Sequence, residues 1–268
     1  TSQEKTQLVT DLAPYTIAST TPVIVDPLTV SLILNTNFKF DSSATTSTAE
    51  GIKTSVTNAL IAYNSSDLGK FDGIFRHSKV TGVIDDADTS ILGNITNVTM
   101  GQFFTPTTTA STAYTFFFNN ALYNPHSGHN ASAGGIIAST GFYISGDSTN
   151  ERFFDDNGEG GLRTYYLSGG TRIYDAASAG TVTYSTGTIV TSGIYIASVG
   201  LVDGAASSRI RITAIPDSKD IVPVRNQILE IDFTNSVISG GVDTIAVSDS
   251  SAGATYTTSS SYTSTSSY

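Results

Sequence analysis

Charged side chains and one of the three histidines are concentrated in the short stretch "FDGIFRHSKVTGVIDD" at residues 71–86. Five of its side chains, which raise the question of whether the stretch does chemistry, are Arg76, His77, Lys79, Asp85 and Asp86. Its apolar members recur at helical spacing and predict a short helix with one buried side, anchored by Phe71, Ile74, Phe75, Val80, Val83 and Ile84. The charged side chains then face solvent or a neighbouring subunit, and we interpret the stretch as one that builds a shape.

Two histidines in "NPHSGHN" have a spacing that could serve a metal ion. His126 and His129 are three residues apart, so both imidazoles could reach one ion. No third ligand is obvious in this Gly/Ser-rich loop, and a helical HExxH motif is absent from the sequence. We therefore favour two solvated loop histidines over a metal site.

The segment "DDNGEG" at residues 155–160 resembles the start of a calcium-binding loop. Asp155, Asn157 and Glu159 would occupy loop positions one, three and five, but position twelve is Tyr166 rather than a bidentate Glu. Asn and Gly also favour a tight hairpin turn, because they tolerate positive φ. We favour the hairpin turn over a calcium-dependent enzyme.

A third candidate site is acidic. Asp85, Asp86 and Asp88 could hold magnesium or act as paired carboxylates, but an acidic loop after a helix explains these residues as well. Neither a Gly-x-Ser-x-Gly elbow nor a phosphate-binding glycine loop occurs in the sequence. We assign no catalytic, cofactor-binding or metal-binding residue, and we predict that the chain is not an enzyme.

The charge balance argues against two classes of partner. The chain has 13 basic and 23 acidic residues, a net charge of −10, and its Lys and Arg residues are scattered. Binding to a phosphate backbone or an anionic membrane requires clustered cations. We therefore expect neither nucleic acid nor a membrane as a partner.

The amino-terminal part predicts a small α/β unit. Residues 28–40 alternate apolar and polar side chains, which indicates a half-buried strand. Ser47 and Glu50 have the spacing of a capping box and predict the start of a helix that ends at residues 64–66. The helix has one apolar stripe, which consists of Ile52, Val56, Leu60 and Tyr63. With the second helix and a strand at residues 91–100, the order is strand, helix, helix, strand.

The rest of the sequence predicts β structure. Short apolar segments separated by Gly, Ser, Asp and Asn are typical of antiparallel hairpins. The fold class is therefore α+β, with a small α/β domain followed by a mainly antiparallel β domain. The predicted divisions are an α/β domain at 1–104, a linker at 105–112, a β-rich domain at 113–247 and a Ser/Thr/Tyr-rich tail at 248–268.

Several segments, in this order, resemble one protein family. They are "VDPLTVSLILNTNFKFD", "LGKFDGIFRHSKVTGVIDDADTSIL", "FFDDNGEGGLRTYY" with "AGTVTYSTGTIV", and "PDSKDIVPVRNQILEID". Together they are similar to the baseplate wedge protein of T-even-type contractile-tailed phages, a subunit related to the broader baseplate J group. The resemblance covers most of the chain and corresponds to the carboxyl-terminal half of longer family members.

The resemblance implies a structural subunit of a phage tail baseplate. It implies a two-fold contact with another copy, binding to other wedge proteins, and a ring around the hub that rearranges when the sheath contracts. It also implies a location in the virion tail after assembly in the host cytoplasm. The alternative is a β-rich adhesin or carbohydrate-binding module, favoured by the 13 tyrosines and the polar loops, although Trp is absent.

Overall fold

Two β-sheets form the body of the protein, and two helices cover one face of the first sheet. The structure is a computed structural model that describes residues 2–16, 24, 26–129 and 135–243. Up to residue 104 the elements are α1 (Ser2–Leu12), a 3₁₀ turn (Ala13–Tyr15), β1 (Leu28–Phe40), α2 (Ala49–Asp67), α3 (His77–Asp85) and β2 (Ile91–Phe104).

The described residues after 104 contain strands and connecting turns. These strands are β3 (Thr115–Phe117), β4 (Ile137–Ser139), β5 (Phe142–Ile144), β6 (Asp147–Asp156), β7 (Gly161–Ser168), β8 (Thr171–Thr183), β9 (Thr188–Thr191), β10 (Ile196–Val199), β11 (Leu201–Val202), β12 (Ala205–Ala206), β13 (Ile210–Ala214), β14 (Gln227–Ile231) and β15 (Val237–Val242). The α+β prediction is confirmed.

The first sheet combines early and late parts of the chain. Its order is β14-β1-β2-β13-β4, and β15 continues the β14 side by pairing with the second half of β1. β2 runs antiparallel to β1, whereas β14 and β15 run parallel to it. Residues 210–243 therefore complete a sheet that residues 28–104 begin.

Alternation along β1 buries one face of this sheet under α2 and α3. The predicted strand has the observed bounds, and its inward side chains, from Val30 to Phe40, are at most 3% exposed. The predicted stripe on α2 is also confirmed, since its four residues are all buried. Removing these side chains from water is the main favourable contribution to folding.

The start of α2 differs from the prediction by one residue. Thr48, not Ser47, is the N-cap, because its extended backbone turns its hydroxyl towards Gly51, whose N–H donates to it at 3.2 Å. The capping box with Glu50 does not form, and the Glu50 carboxylate instead accepts from Lys53 at 3.0 Å. The helix also continues to Asp67, beyond the predicted end at residues 64–66.

The second helix is shorter than predicted, and two of its expected anchors are exposed. α3 begins only at His77, while Phe75 precedes it and pairs with Ile221 in an isolated bridge. Phe75 is fully buried, but Phe71 and Ile74 are 55% and 37% exposed because they lie in the turn before the helix. Val80 and Ile84 are buried as predicted.

The second sheet is antiparallel throughout, in the order β10-β5-β6-β7-β8-β9-β3. Two predicted strands, at 171–175 and 181–184, belong to one strand, β8. Irregular pairing between β7 and β8 allows this long strand to bend without ending. β11 and β12 form a separate hairpin, turned by Asp203 and Gly204 at φ 54° and 78°.

The domain boundaries stay a prediction, and the first sheet draws strands from both predicted domains. The predicted Ser/Thr/Tyr-rich tail at 248–268 lies outside the described residues. Of the helices in the described part of the chain, none has the length and apolar content needed to cross a membrane.

Candidate interaction surface

Among the described residues, none covers the centre of the first sheet on the face opposite α2 and α3, where side chains are exposed. Cross-strand pairs place six exposed side chains together on three adjacent strands, and we call this set the open face: Asn35, Asn37, Lys39, Ile95, Asn97 and Val237. Ile95 is 71% exposed and Val237 is 57% exposed. Lys39 is the only charged member of the set, so none of the six side chains is a carboxylate, although the chain as a whole is acidic.

A shallow depression lies at one end of the open face. A bulge in β2 next to Phe40 pushes Leu92 outwards, where it is 54% exposed. Leu92 and Ile95 form the apolar wall of a depression of about 240 Å³, Asn37 and Lys39 lie on its β1 side, and Asp243 also lines it. The open face thus combines an apolar centre with amide groups that can form hydrogen bonds, as the surfaces of protein–protein interfaces do.

Most of the charged side chains singled out in the 71–86 stretch form a hydrogen bond or an ion pair within the chain. Arg76 donates to Asp220 at 2.9 Å, Lys79 contacts Asp67, and Asp85 accepts from the side chain of Asn94 at 2.7 Å. His77 is half-buried, and its Nε2 lies 2.8 Å from a backbone carbonyl oxygen of β2. The prediction that these groups face solvent or a partner is therefore incomplete, because Arg76, His77, Lys79 and Asp85 each have an intramolecular partner. Asp86 is exposed.

Asp220 caps the amino terminus of α3 from a distant part of the sequence. One carboxylate oxygen accepts from the backbone N–H of His77 at 2.9 Å, and the other accepts from Arg76. The hydrogen bond from the Arg76 side chain, followed by that from the His77 backbone, holds the pKa of Asp220 below its usual range. A negative charge at this position also interacts favourably with the helix dipole.

We expect Asp220→Ala to lower the free energy of unfolding by about 1 kcal/mol at neutral pH, the usual loss for a helix cap. Because the folded-state pKa is depressed, this stabilisation is present above the ordinary Asp pKa of about 3.9 and is lost as pH falls through the lower folded-state pKa. Urea unfolding at pH 7 and at pH 2 measures the difference. The exposed Asp217→Ala is the control, and a loss at pH 7 that persists undiminished at pH 2 would contradict the prediction.

The second sheet contains a buried carboxylate held by cations. Asp155, predicted as the first residue of a turn or calcium loop, is on β6 and is 1% exposed. It accepts from Arg163 at 3.2 Å, Arg172 at 3.0 Å and the Tyr174 hydroxyl at 2.6 Å. The backbone N–H of Gly135 donates to its other oxygen at 2.5 Å. A buried charge is tolerated when it is paired and hydrogen-bonded in this way.

The neighbouring Asp156 is on the opposite face of β6 and also accepts hydrogen bonds from distant parts of the chain. It is also 1% exposed and accepts from the backbone N–H of Ile137 at 3.0 Å and from the Tyr184 hydroxyl at 2.7 Å. Burial, followed by this hydrogen bond, raises the pKa of Tyr184 above its ordinary value. Residues 157–160 form the predicted hairpin turn, in which Asn157 Oδ1 accepts from the N–H groups of Glu159 and Gly161 at 2.8 Å each.

An aromatic row crosses the second sheet beside Asp155. The rings of Phe153 and Tyr165 are 5.5 Å apart, and those of Tyr165 and Tyr174 are 5.7 Å apart. The guanidinium of Arg172 lies 4.5 Å from the ring centre of Tyr165, and that of Arg163 lies 4.2 Å from that of Tyr174. Arginines thus occupy ring faces on which a sugar would stack, so this row does not favour carbohydrate binding.

His126 and His129 are the candidate site residues that the structure brings closest together. Their ring centres are 5.0 Å apart, in a loop that packs against the β6–β7 turn. Among the described residues, no group of three or more His, Cys, Asp or Glu side chains is arranged to hold a metal ion. Asp85 is the last residue of α3, so only Asp86 and Asp88 lie in the predicted acidic loop after the helix, and the Asp88 carboxylate accepts from Ser90 at 2.6 Å.

Comparison with known families matches the part of the chain that carries five of the six open-face residues. Residues 30–102 match the model of baseplate structural protein gp6, C-terminal domain III. The matched region contains nearly all of β1 and β2 together with α2 and α3. No curated protein matches the chain at a significant level. The match supports a phage baseplate structural protein located in the virion tail.

Proposed function

We propose that the chain is a structural subunit of a baseplate wedge, of the type related to the baseplate J group, and that it associates with a second copy of itself and with other wedge proteins. The observation that carries this proposal is the coincidence of the gp6-like unit with the open face. In the assembled tail, repeated contacts of this kind form the ring around the hub that rearranges on sheath contraction. Assembly takes place in the host cytoplasm.

Charge supports a second copy as the occupant of the open face. Each chain carries a net charge of −10, so two copies repel each other unless they meet through a surface that lacks like charges. Among its six members the open face has one cation and no carboxylate, and its apolar centre is Ile95. Asp243 lines the adjoining depression together with Lys39, so one carboxylate there is offset by one cation. A two-fold contact would place the same neutral surface on both sides of the interface.

Analytical ultracentrifugation over a wide concentration range, in EDTA, tests this proposal. We expect the native chain to form a reversible dimer and Ile95→Asp to weaken the association at least about tenfold, because a carboxylate would be desolvated at the centre of the contact. Leu167→Asp is the matched control: Leu167 is 54% exposed, but it lies on the second sheet.

Two results would reject the proposed contact. One is a native chain that stays monomeric at the highest concentration reached. The other is equal weakening by Ile95→Asp and Leu167→Asp, since this would show a general effect of added charge. Both positions are exposed, so circular dichroism should show folded protein in each variant.

A further inference from the structure

We propose that His126 and His129 bind a divalent transition-metal ion, such as zinc, between Nε2 of His126 and Nδ1 of His129. These two nitrogen atoms are 3.4 Å apart. Histidine nitrogens bind zinc at roughly 2.0–2.1 Å in tetrahedral geometry, which separates two ligand atoms by roughly 3.3–3.4 Å. The two side chains already have the separation that a shared ion requires.

Hydrogen bonding leaves the correct atom of His126 available. Its Nδ1 lies 3.1 Å from the carbonyl oxygen of Ser127, so this nitrogen carries the proton, and the lone pair of Nε2 accepts from Nδ1 of His129 until an ion replaces that proton. A backbone carbonyl on the other ring nitrogen is the usual outer partner of a metal-binding histidine. When the ion binds, the Nδ1 proton of His129 moves to Nε2 of the same ring through solvent, and no net proton is released.

The backbone holds the two histidines in this arrangement. The N–H of Gly128 and the side chain of Asn124 donate to the carbonyl oxygen of Gly158 at 3.1 and 3.2 Å. Gly158 has φ 74°, and a Cβ there would lie 2.0 Å from the carbonyl oxygen of His129, so only glycine permits this close approach. The Tyr123 ring contacts the His129 ring edge to face, with centres 5.2 Å apart.

Glu159 lies near the histidine loop, but it would have to change rotamer to become a further ligand. Its Oε1 lies 3.8 Å from the point that a Cβ on Gly128 would occupy, which places the carboxylate beside the histidine loop. The side chain is exposed and can change rotamer without breaking a packed contact. Water and this carboxylate would complete the coordination of an ion held by the two imidazoles.

Calorimetric titration of the full chain with zinc chloride tests the site. We expect one zinc ion per chain, and we expect His126→Ala or His129→Ala to lower the affinity more than about tenfold, since even an outer-shell partner is worth about 10–100-fold. Glu159→Gln should lower the affinity by a smaller factor. His77→Gln is the control, because it removes the third histidine of the chain while leaving the loop unchanged.

The proposal is overturned if zinc fails to bind at millimolar concentration or binds the His126→Ala/His129→Ala double variant as tightly as the native chain. Cobalt absorption provides a second measurement, since histidine ligands change the visible spectrum of the ion. This test does not depend on self-association, because the dimer experiment is done in EDTA. Failure of one proposal therefore leaves the other standing.

Discussion

Replacing Asp155 with alanine is expected to lower the free energy of unfolding by about 3–5 kcal/mol, the usual loss when one partner of a buried ion pair is removed. The substitution removes the carboxylate that Arg163 and Arg172 share, and the side chain of Arg163 is only 12% exposed. It also removes the acceptor of the Tyr174 hydroxyl and of the Gly135 N–H.

Urea unfolding followed by circular dichroism measures this loss. Asp86→Ala is the control, because Asp86 is an exposed carboxylate at the end of α3. We expect the control to change stability by less than about 0.5 kcal/mol, as surface substitutions do. A loss below about 1 kcal/mol for Asp155→Ala would contradict the prediction. It would show that the arginines are well solvated without the carboxylate and that these ion pairs contribute little to the free energy of unfolding.

Phe38→Ala is expected to cost about 3–5 kcal/mol, the range for removal of a buried aromatic side chain. Phe38 is fully buried, and its ring covers the directly opposite Gly240 on β15. A Cβ on Gly240 would lie 2.3 Å from the Phe38 ring, so the glycine provides the space that the ring fills. Truncation leaves a cavity between β1, β15 and the helices.

Lys39→Ala is the matched control for Phe38→Ala, since the next residue on the same strand points to the open face. We expect the control to be nearly neutral in the same denaturation experiment. The two destabilising variants also test the predicted domain division. If the domains are independent, Phe38→Ala and Asp155→Ala should shift separate transitions, whereas a shared shift would indicate one cooperative unit.

Local periodicity explains why parts of the fold could be predicted from the sequence. The alternation in β1 and the stripe on α2 each depend on residues a few positions apart, and both are confirmed. The predicted N-cap of α2 is wrong by one residue because Ser47 and Thr48 both carry a hydroxyl group that can cap a helix. Their backbone angles decide which hydroxyl faces the helix, and the sequence does not specify those angles.

Contacts between distant residues could not be predicted in this way. The cap on α3 comes from Asp220, which is 143 residues from His77. Asp155 was recognised as part of a turn, but its arginine partners depend on the register of β7 and β8. The spacing of His126 and His129 is visible in the sequence, whereas the distance between their nitrogens depends on how the loop packs against Gly158.

The parallel pairing of β1 with β14 has a consequence for biosynthesis. β1 ends at Phe40 and β14 begins at Gln227, so at about 5–20 residues per second the ribosome needs roughly 10–40 s to supply the partner strand. During this interval the β14 side of β1 is an unpaired edge, to which another nascent chain could add. Neighbouring ribosomes on one message would hold such edges close together. A chaperone that covers the edge of β1 would therefore prevent association of nascent chains most effectively before the last strands emerge.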